Sequence, residues 1–390
     1  MLKLITLLLA SSMTVMAGST LAPALPQIQR FFQDVPDASF WVKLMLTMPG
    51  LFTALSAPVS GILADRVGRK PLLLAATLLY GLAGGAGLVL SSISGLLVSR
   101  AVLGVAVGAI MTSSTTLIAD YYQGPQRNQV MGIQAAFVSF GGVAFLILGG
   151  ILADLGWRFP FLIYLMAFVV FGLVLVAITE PRQEPTSQGP VQETASLTKI
   201  PVAGLAAVYL LVFGTMTAFY LVPVQLPFYL QGLSGGQASN TSTGIAIGLM
   251  NLTSALASTR YRSIKARLSF PAIMGVGFIG VALGYGVIAQ ASTYAWVTVG
   301  LAVAGLGLGL LIPNVNVWVN AIAPPALRGS AVGGLTTCLF LGQFASPILT
   351  QPLIQPLGIA RTYGVVGVGL GLLAIAMLAF SIQQKSQRAL

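Results

Sequence analysis

Residues able to carry chemistry are rare in this chain, and most of them are charged. The sequence has eight acidic residues, no histidine and a single cysteine, Cys338. It therefore lacks the side chains that most often bind transition metals or transfer protons near neutral pH. No nucleophile with a matching base can be recognised either. We therefore predict that the chain is not an enzyme and has no metal site or cofactor.

The densest group of charges is the segment 61–70, Gly-Ile-Leu-Ala-Asp-Arg-Val-Gly-Arg-Lys. One acid and three bases separate two long apolar runs there. A charged side chain at the centre of a bilayer costs about 2.5–3.5 kcal/mol on insertion scales, so this segment predicts a tight loop between two membrane-spanning helices. On charge alone, Asp65 can be explained as a solvated carboxylate that balances the neighbouring bases.

The apolar runs that position these charges determine the fold class. Hydrophobic residues make up 56% of the 390 positions and charged residues 7%, whereas soluble domains are about 25% charged. At about 20 residues per spanning helix, the sequence predicts an all-α integral membrane protein with twelve transmembrane helices in the lipid bilayer. Spans 1 to 12 are predicted near residues 4–28, 41–63, 71–91, 95–119, 130–153, 159–179, 202–230, 242–258, 271–290, 294–319, 330–352 and 362–382.

The first apolar run has a second explanation. Lys3, the apolar residues after it and Val15-Met16-Ala17 would also suit a secretory signal peptide with its cleavage site. The apolar character continues past Ala17 to Leu25, however, which is longer than a usual signal-peptide core. We therefore interpret this run as a retained span 1.

The spans form two related halves. Residues 180–201 have the Pro, Gln, Ser and Thr content of a solvated linker. We predict an N-terminal six-helix bundle at 1–179, a cytoplasmic linker at 180–201 and a C-terminal six-helix bundle at 202–390. One shift of 201 positions aligns Leu25-Pro26 with Leu226-Pro227, Arg66 with Arg267, Gly104 and Gly108 with Gly305 and Gly309, Arg127 with Arg328, and Gly132 with Gly333. Such a repeat predicts a substrate path between the halves, near the middle of the membrane.

The distribution of bases predicts the orientation. If the N-terminus is inside, every cytoplasmic loop carries bases, and the outside loops have only Arg30, Lys43, Arg158 and Arg361. We therefore predict a multi-pass protein of the cell (inner) membrane with both termini cytoplasmic. The same rule accounts for the net charge of +11, so nucleic acid is not an expected partner.

Segment 61–70 resembles the signature loop between helices 2 and 3 of the major facilitator superfamily, G-x-L-a-D-r-x-G-r-k. The resemblance implies the major facilitator fold. It also implies that Asp65 lies against the start of span 11 when the transporter faces outward, and that Arg66 or Arg69 pairs with Asp120. The match is carried by Gly61, Leu63, Asp65, Arg66, Gly68, Arg69 and Lys70. We predict that a conformational latch consists of Gly61, Asp65, Arg66, Gly68, Arg69, Lys70 and Asp120.

One further segment resembles the second signature of the family, and span 5 matches the pattern of the family's drug:proton antiporters only in part. Leu96-x-x-x-Arg100-x-x-Leu103-Gly104 is similar to L-x-x-x-R-x-x-q-G, which implies a role for Arg100 in proton coupling or in holding substrate charge. Arg100 is also the only charge well inside a predicted span, where reaching the membrane surface is the alternative explanation. In span 5 the Gly149-Gly150 pair is present, but Phe145-Leu146 replaces the expected Gly-Pro. The predicted packing glycines of this span are Gly141, Gly142, Gly149 and Gly150.

The predicted cavity contains no acid. Ala17 stands where many multidrug exporters of this family have an acid in helix 1, and no acid follows Glu193. A cavity with Arg100 and no embedded acid suits neutral or anionic amphiphiles. The predicted substrate or coupling residues are Arg100, Gln134, Phe137, Phe219, Tyr220, Asn251 and Asn314, and weaker candidates are Ser113 to Thr116, Gln225, Asn316 and Gln343. For single polar residues, helix–helix contact is the alternative explanation.

Two functions remain open from the sequence. The first hypothesis is proton-driven efflux of a neutral or anionic amphiphilic small molecule by rocker-switch alternating access, as in multidrug resistance antiport. The alternative is uniport or uptake of a small metabolite without proton coupling. The efflux signatures favour the first, whereas the lack of membrane-embedded acids favours the second. We expect a monomer that binds a small-molecule substrate and, in the first hypothesis, protons.

Overall fold

The computed structural model of the protein describes residues 1–181 and 202–389. Of the predicted linker at 180–201, all but Glu180 and Pro181 lies outside the described residues. The described residues are almost entirely helical and include no strand, which confirms the all-α fold class.

Thirteen α-helices follow one another along the described chain. They are α1 Leu2–Ser19, α2 Leu25–Phe31, α3 Ala38–Val67, α4 Arg69–Gly85, α5 Ile93–Tyr121, α6 Gly124–Leu155, α7 Met166–Ala177, α8 Val202–Leu233, α9 Asn240–Thr259, α10 Tyr261–Lys265, α11 Phe270–Gln290, α12 Tyr294–Ile322 and α13 Arg328–Ala389. Span 1 comprises α1 and α2, spans 2 to 6 are α3 to α7, and spans 7 to 10 are α8, α9, α11 and α12. The short helix α10 joins spans 8 and 9.

Spans 11 and 12 lie in the single 62-residue assignment α13. Gly358 interrupts it with a φ of 77°, a left-handed conformation that glycine adopts without steric penalty. The residues predicted to separate the two spans are therefore helical except at this kink. In the described chain, ten helical stretches are long and apolar enough to cross a membrane, with α13 counted once. The more polar α9 and the division of α13 account for the predicted twelve.

Proline shapes the first span. A 3-10 turn at Ala22–Ala24 contains Pro23 and separates α1 from α2, and Pro26 follows in the first turn of α2. Since proline has no backbone N–H to donate, it is favoured at the start of a helix and interrupts a longer one. Span 1, predicted as one run over 4–28, is therefore helical in two pieces.

The two halves use the same helix pairings. In the first half α3 packs on α5, α1 on α6, and α4 on both α5 and α7. In the second half the corresponding pairs are α9 with α12, α8 with α13, and α11 with both α12 and α13. The halves meet along two seams, α6 against α9 and α3 against α13.

Glycines set the closest helix contacts at equivalent places in the halves. A Cβ atom on Gly104 of α5 would collide with the carbonyl oxygen of Pro49 in α3. A Cβ atom on Gly305 of α12 would collide with the carbonyl oxygen of Met250 in α9. Both pairs are related by the shift of 201 positions that aligns the two halves of the sequence. The repeat therefore preserves backbone contact as well as residue type.

Candidate functional site

A cavity of about 560 Å³ lies between the two halves. Residues of α1, α3, α5 and α6 line it on one side, and residues of α8, α9, α12 and α13 on the other. Every lining side chain is uncharged, and most are apolar. The lining is Thr14, Val15, Ala17, Gly18, Ser19, Pro49, Gly50, Thr53, Val107, Val138, Ser139, Gly142, Leu146, Met216, Phe219, Tyr220, Pro223, Ile247, Asn251, Ser254, Ala255, Ser258, Gly309, Ile312, Pro313, Leu339, Phe340 and Gln343.

A few polar groups in this cavity are free to bind a ligand. Most lining hydroxyls donate to a carbonyl of their own helix, as Thr53 does to Pro49 and Ser139 to Ala135. In residues 1–181 and 202–389, no protein group forms a hydrogen bond with the side chains of Tyr220, Asn251, Ser254 or Gln343.

Two of these free groups meet in one corner of the cavity. A Cβ atom on Gly18 would lie 3.2 Å from the Tyr220 hydroxyl and 3.6 Å from Nε2 of Gln343. The absence of a side chain at Gly18 therefore leaves open a space that both groups face. We call Gly18, Tyr220 and Gln343 the polar corner.

Only some of the predicted substrate residues line the cavity. Phe219, Tyr220 and Asn251 line the cavity, as does the weaker candidate Gln343. The other predicted residues, Arg100, Gln134, Phe137 and Asn314, are not in the lining. Gln134 donates to Ser11 Oγ at 2.7 Å, which joins α6 to α1, and Asn314 donates to the Phe270 carbonyl at 3.0 Å. Phe137 is partly exposed on α6.

Arg100 is fully buried inside the first half rather than in the cavity. Its Nη2 donates to the carbonyls of Ala83 at 3.0 Å and Gly84 at 2.8 Å, in the last turn of α4. The guanidinium carbon lies 5.1 Å from the ring centre of Phe161 and 4.9 Å from that of Tyr164. These contacts connect three helical segments of the half, and a cation is favourable beside the last carbonyls of a helix. A role in substrate binding or coupling stays a prediction.

The halves are joined by side chains at one end of the bundle, which we call the closed end. There Arg30 donates to Gln231, and Lys43 Nζ donates to Gln351 Oε1 at 2.9 Å. The carboxylate of Asp154, at the end of α6, accepts from the backbone N–H groups of Asn240 at 2.7 Å and Thr241 at 3.1 Å. The Thr241 hydroxyl donates to the same carboxylate at 2.6 Å.

The other end carries Arg66, Arg69, Lys70 and Arg260, and we call it the basic end. Across the described ranges, no side-chain hydrogen bond or ion pair joins the halves there. The cavity reaches Ser258, two residues before Arg260, so it extends towards this end. The conformation is therefore closed at one end and open between the halves at the other.

Most of the predicted latch residues cluster at the basic end of the first half. Arg69 lies 3.6 Å from Asp65 and 3.5 Å from Asp120, so it bridges α3 and α5. The Asp65 side chain is 74% exposed, and within the described residues it forms no ion pair or hydrogen bond with the start of α13. Gly68 has a φ of 101°, which suits the tight turn between α3 and α4. A Cβ atom on Gly61 would meet nothing within 4 Å, and Arg66 is exposed.

Glu180 completes this cluster, although the sequence predicted only a linker there. Its carboxylate accepts from the backbone N–H groups of Arg69 and Lys70, each at 2.7 Å. These groups open α4, where N–H groups have no acceptor within the helix. The Lys70 ammonium also donates to the Leu175 carbonyl at 3.1 Å. A side-chain signal for this cap existed in the sequence, since Glu180 is the only acid at the predicted end of span 6.

The predicted packing glycines of α6 face different neighbours. A Cβ atom on Gly149 would collide with the carbonyl of Thr20 in the same half, whereas one on Gly150 would lie 2.6 Å from the carbonyl of Asn240 in the other half. Gly141 and Gly142 face Ser12 and Val15 of α1. Gly150 therefore belongs to the closed end, whereas the other three pack within the first half, and Gly142 also lines the cavity.

Nothing in the described chain suggests a metal centre. No group of three or more His, Cys, Asp or Glu residues within those ranges could hold an ion. The arrangement is instead that of a solute-sized cavity between two bundles, with polar contacts that close one end.

Comparisons with known proteins agree with this architecture. A family model described as Major Facilitator Superfamily matches residues 7–347. The chain is 24% identical over 355 residues to the tetracycline resistance protein, class D, of Salmonella ordonez, which covers 88% of this chain and 87% of that protein. It is also 24% identical over 349 residues to the multi-drug resistance efflux pump PmrA of Streptococcus pneumoniae, covering 85% of each.

A solved structure has the same fold. It is a bacterial homologue of the human lysosomal transporter Spinster in an inward-facing and occupied conformation. The TM-score is 0.77 at 17% sequence identity, and the superposition covers 98% of this chain and 96% of that one. At this level of identity the likeness concerns the fold.

Proposed function

We propose that this chain, which belongs to the Major Facilitator Superfamily, exports an uncharged amphiphilic small molecule by rocker-switch alternating access. It is a multi-pass membrane transporter and not an enzyme, as its family shows. The proposal concerns the substrate class, the direction of transport, the membrane and the energy source.

The uncharged lining of the central cavity carries this proposal. A volume of about 560 Å³ is within the range of small-molecule sites, roughly 300–1,000 Å³. Apolar walls favour an apolar body, and the polar corner can bind a hydroxyl, carbonyl or amide of the ligand. Because Arg100 is outside the lining, an uncharged substrate fits the cavity better than the anionic one that the sequence also allowed.

The direction is proposed from charge and from relatives. The positive-inside rule supports a cytoplasmic basic end. We propose the cell (inner) membrane as the location. The conformation described above would then be inward-facing, and the cavity would accept solutes from the cytoplasm. The names of the two relatives, a resistance protein and an efflux pump, support export.

Proton antiport is proposed as the energy source, and transport without protons is the second candidate. The efflux relatives favour the first. The second is favoured by the cavity itself, because no described carboxylate lines it. Asp120 and Asp154 are the remaining candidates for a proton carrier near the membrane in the first half.

Flux measurements in proteoliposomes test the proposal. Uncharged, cationic and anionic fluorescent amphiphiles of matched size are loaded, and their release is compared with that from protein-free liposomes, with and without a pH gradient. We expect protein-dependent release of the uncharged probe above all. Acceleration by the gradient, abolished by a protonophore, would support antiport, and its absence would support the second candidate. Release of the cationic probe alone would contradict the proposed substrate class.

The polar corner gives this assay a residue-level prediction. Tyr220→Phe and Gln343→Leu each remove one free polar group from the cavity. Each is expected to raise the KM of the uncharged probe about fivefold, since a neutral hydrogen bond contributes about 1 kcal/mol. Ser139→Ala is the matched control, because that lining hydroxyl already donates to Ala135. An unchanged KM in both corner variants would contradict the assignment.

The latch residues are proposed to act in the opposite, outward-facing conformation. There the Asp65 carboxylate would bind the start of α13, where a negative charge gains about 0.3–1 kcal/mol from the helix dipole. Asp65→Asn is therefore expected to lower transport severalfold and to leave folding intact. Reactivity of single cysteines placed at each mouth of the cavity measures the balance between conformations. Asp34→Asn is the control, and an unchanged balance with unchanged flux in Asp65→Asn would refute the latch.

A further inference from the structure

The first helix turn of α9 has its backbone donors bound by the other half of the protein. Ser239 caps this helix locally through the N–H of Ser242. The N–H groups of Asn240 and Thr241 go instead to the two carboxylate oxygens of Asp154. The N–H groups in the first turn of a helix have no acceptor within the helix, and a carboxylate is favourable there because of the helix dipole. Asp154 is therefore an N-terminal cap provided across the interface.

The helix packing at this crossing fixes the position of the cap. Gly150, one turn before Asp154, lies against the Asn240 carbonyl, and Gly244, one turn after Asn240, lies against the Leu146 carbonyl. The absence of side chains at both glycines allows α6 and α9 to touch through their backbones. Asp154 consequently reaches the start of α9 only while the two halves are in contact at this end.

Each of the other cross-half contacts at the closed end consists of a single hydrogen bond. Arg30 and Lys43 each donate to one glutamine amide, and the Thr47 hydroxyl lies 3.5 Å from the Phe344 carbonyl. Asp154 instead accepts three hydrogen bonds on its carboxylate. Hydrogen bonds in which the donor or the acceptor is ionised are roughly twice as strong as neutral ones. This applies to the bonds of Arg30 and Lys43 as well, so it is the number of its bonds that distinguishes Asp154.

The sequence explains why this carboxylate must come from the first half. No acid follows Glu193, so the helices of the second half have no carboxylate of their own to place at their starts. Their local caps are hydroxyls, as at Ser239, Ser269 and Thr293. An acid of the first half that reaches such a start forms a contact that exists only in one relative position of the halves.

We propose that Asp154 is a gating residue, and that its carboxylate holds the closed end shut by capping α9 of the other half. The inference rests on the proposed alternation between two conformations. Asp154 and Asp65 then have the same chemical role at opposite ends of the bundle, each binding the start of a second-half helix in one conformation. When the halves separate at the closed end, the start of α9 loses this acceptor and must be solvated by water.

Distance measurements between spin labels test the role of Asp154 directly. Because Cys338 is the only cysteine, Cys338→Ala provides a cysteine-free background. Spin labels are attached at Ser94→Cys and Ser292→Cys, one in each half. Ser94 lies in the first turn of α5 and Ser292 just before α12, and both positions are exposed at the closed end. In Asp154→Asn, the ratio of open to closed populations at this end is expected to rise on the order of tenfold. Thr241→Val removes one donor and is expected to shift the same ratio by a smaller factor.

Asp34→Asn is the matched control, since this exposed acid lies towards the same end and its side chain forms no hydrogen bond or ion pair among the described residues. It should leave the distances unchanged. Distances that are the same in Asp154→Asn, Thr241→Val and the parent protein would overturn the inference, and Thr241→Val alone decides if Asp154→Asn does not fold. The distance measurement is made without substrate and is therefore independent of the flux assay. A shifted distance in Asp154→Asn together with no protein-dependent flux in the parent protein would support the gating role of Asp154 and count against the proposed function.

Discussion

The substitution Gly150→Val is expected to suppress transport strongly while the protein remains folded and membrane-inserted. Gly150 of α6 faces the Asn240 carbonyl of α9 in the other half, and even a Cβ atom would lie 2.6 Å from that oxygen. Overpacking of this kind costs about 1–3 kcal/mol. Because the contact exists only in the closed conformation of this end, the cost shifts the conformational balance about 5–150-fold towards the open one. Flux per inserted molecule and the cysteine reactivity of the two mouths measure the effect.

Two glycines of the same half serve as controls for Gly150→Val. Gly172 of α7 has no neighbour within 4 Å of an added Cβ, so Gly172→Val should leave both flux and stability near parent values. Gly149 collides instead with the Thr20 carbonyl of its own half, so Gly149→Val should lower thermal stability in detergent. If Gly150→Val transports normally, or loses stability as Gly149→Val does, its role at the interface is contradicted.

Arg100→Gln is expected to destabilise the first half and to lower the transport rate without changing the KM. The arginine binds the carbonyls of Ala83 and Gly84 and lies against the rings of Phe161 and Tyr164, and all of this occurs away from the cavity. A buried acceptor left unpaired costs about 1–3 kcal/mol. Glutamine is too short to replace both contacts. Thermal unfolding and steady-state flux over a range of probe concentrations measure the two effects.

Arg100→Lys separates this structural role from the binding of a substrate charge, which the sequence resemblance also implied. Lysine keeps the charge but not the planar group that contacts two carbonyls and two rings, so an intermediate loss of stability is expected. A clamp for an anionic substrate would instead raise the KM of the anionic probe in Arg100→Lys and abolish its transport in Arg100→Gln. Arg127→Gln, at an exposed arginine of the basic end, controls for the general loss of a positive charge. Normal stability in both Arg100 variants would exclude the structural role.

The sequence predicted the helices well because each span is a long apolar run bounded by charged or turn-forming residues. The predicted helix boundaries differ from the structure at two places, where a helix is interrupted or continues beyond its apolar run. Span 1 is broken at Pro23 and continues as α2, and the residues between spans 11 and 12 stay helical apart from Gly358. Apolar runs do not reveal such details, because a loop at the membrane surface and an extended helix have similar composition.

The site was harder to predict because these helices are apolar on every side, so the sequence does not show which face meets the cavity. Tyr220 and Asn251 line the cavity, whereas Arg100 lies on a helix that also lines the cavity but faces the interior of its own half. Glu180 and Asp154 cap α4 and α9 respectively, and both belong to pairs far apart in the chain. A carboxylate at a helix end can be read from sequence, but the helix that it caps cannot.

The uncharged wall of the cavity has an electrical consequence. Moving one elementary charge through a membrane potential involves about 2.3 kcal/mol per 100 mV. The residues lining the cavity carry no charge, so an uncharged solute held there moves between the two sides without sensing the membrane voltage. Any current that accompanies transport would then be carried by a coupled ion, and the ratio of this current to the solute flux would give the number of charges moved with each solute molecule.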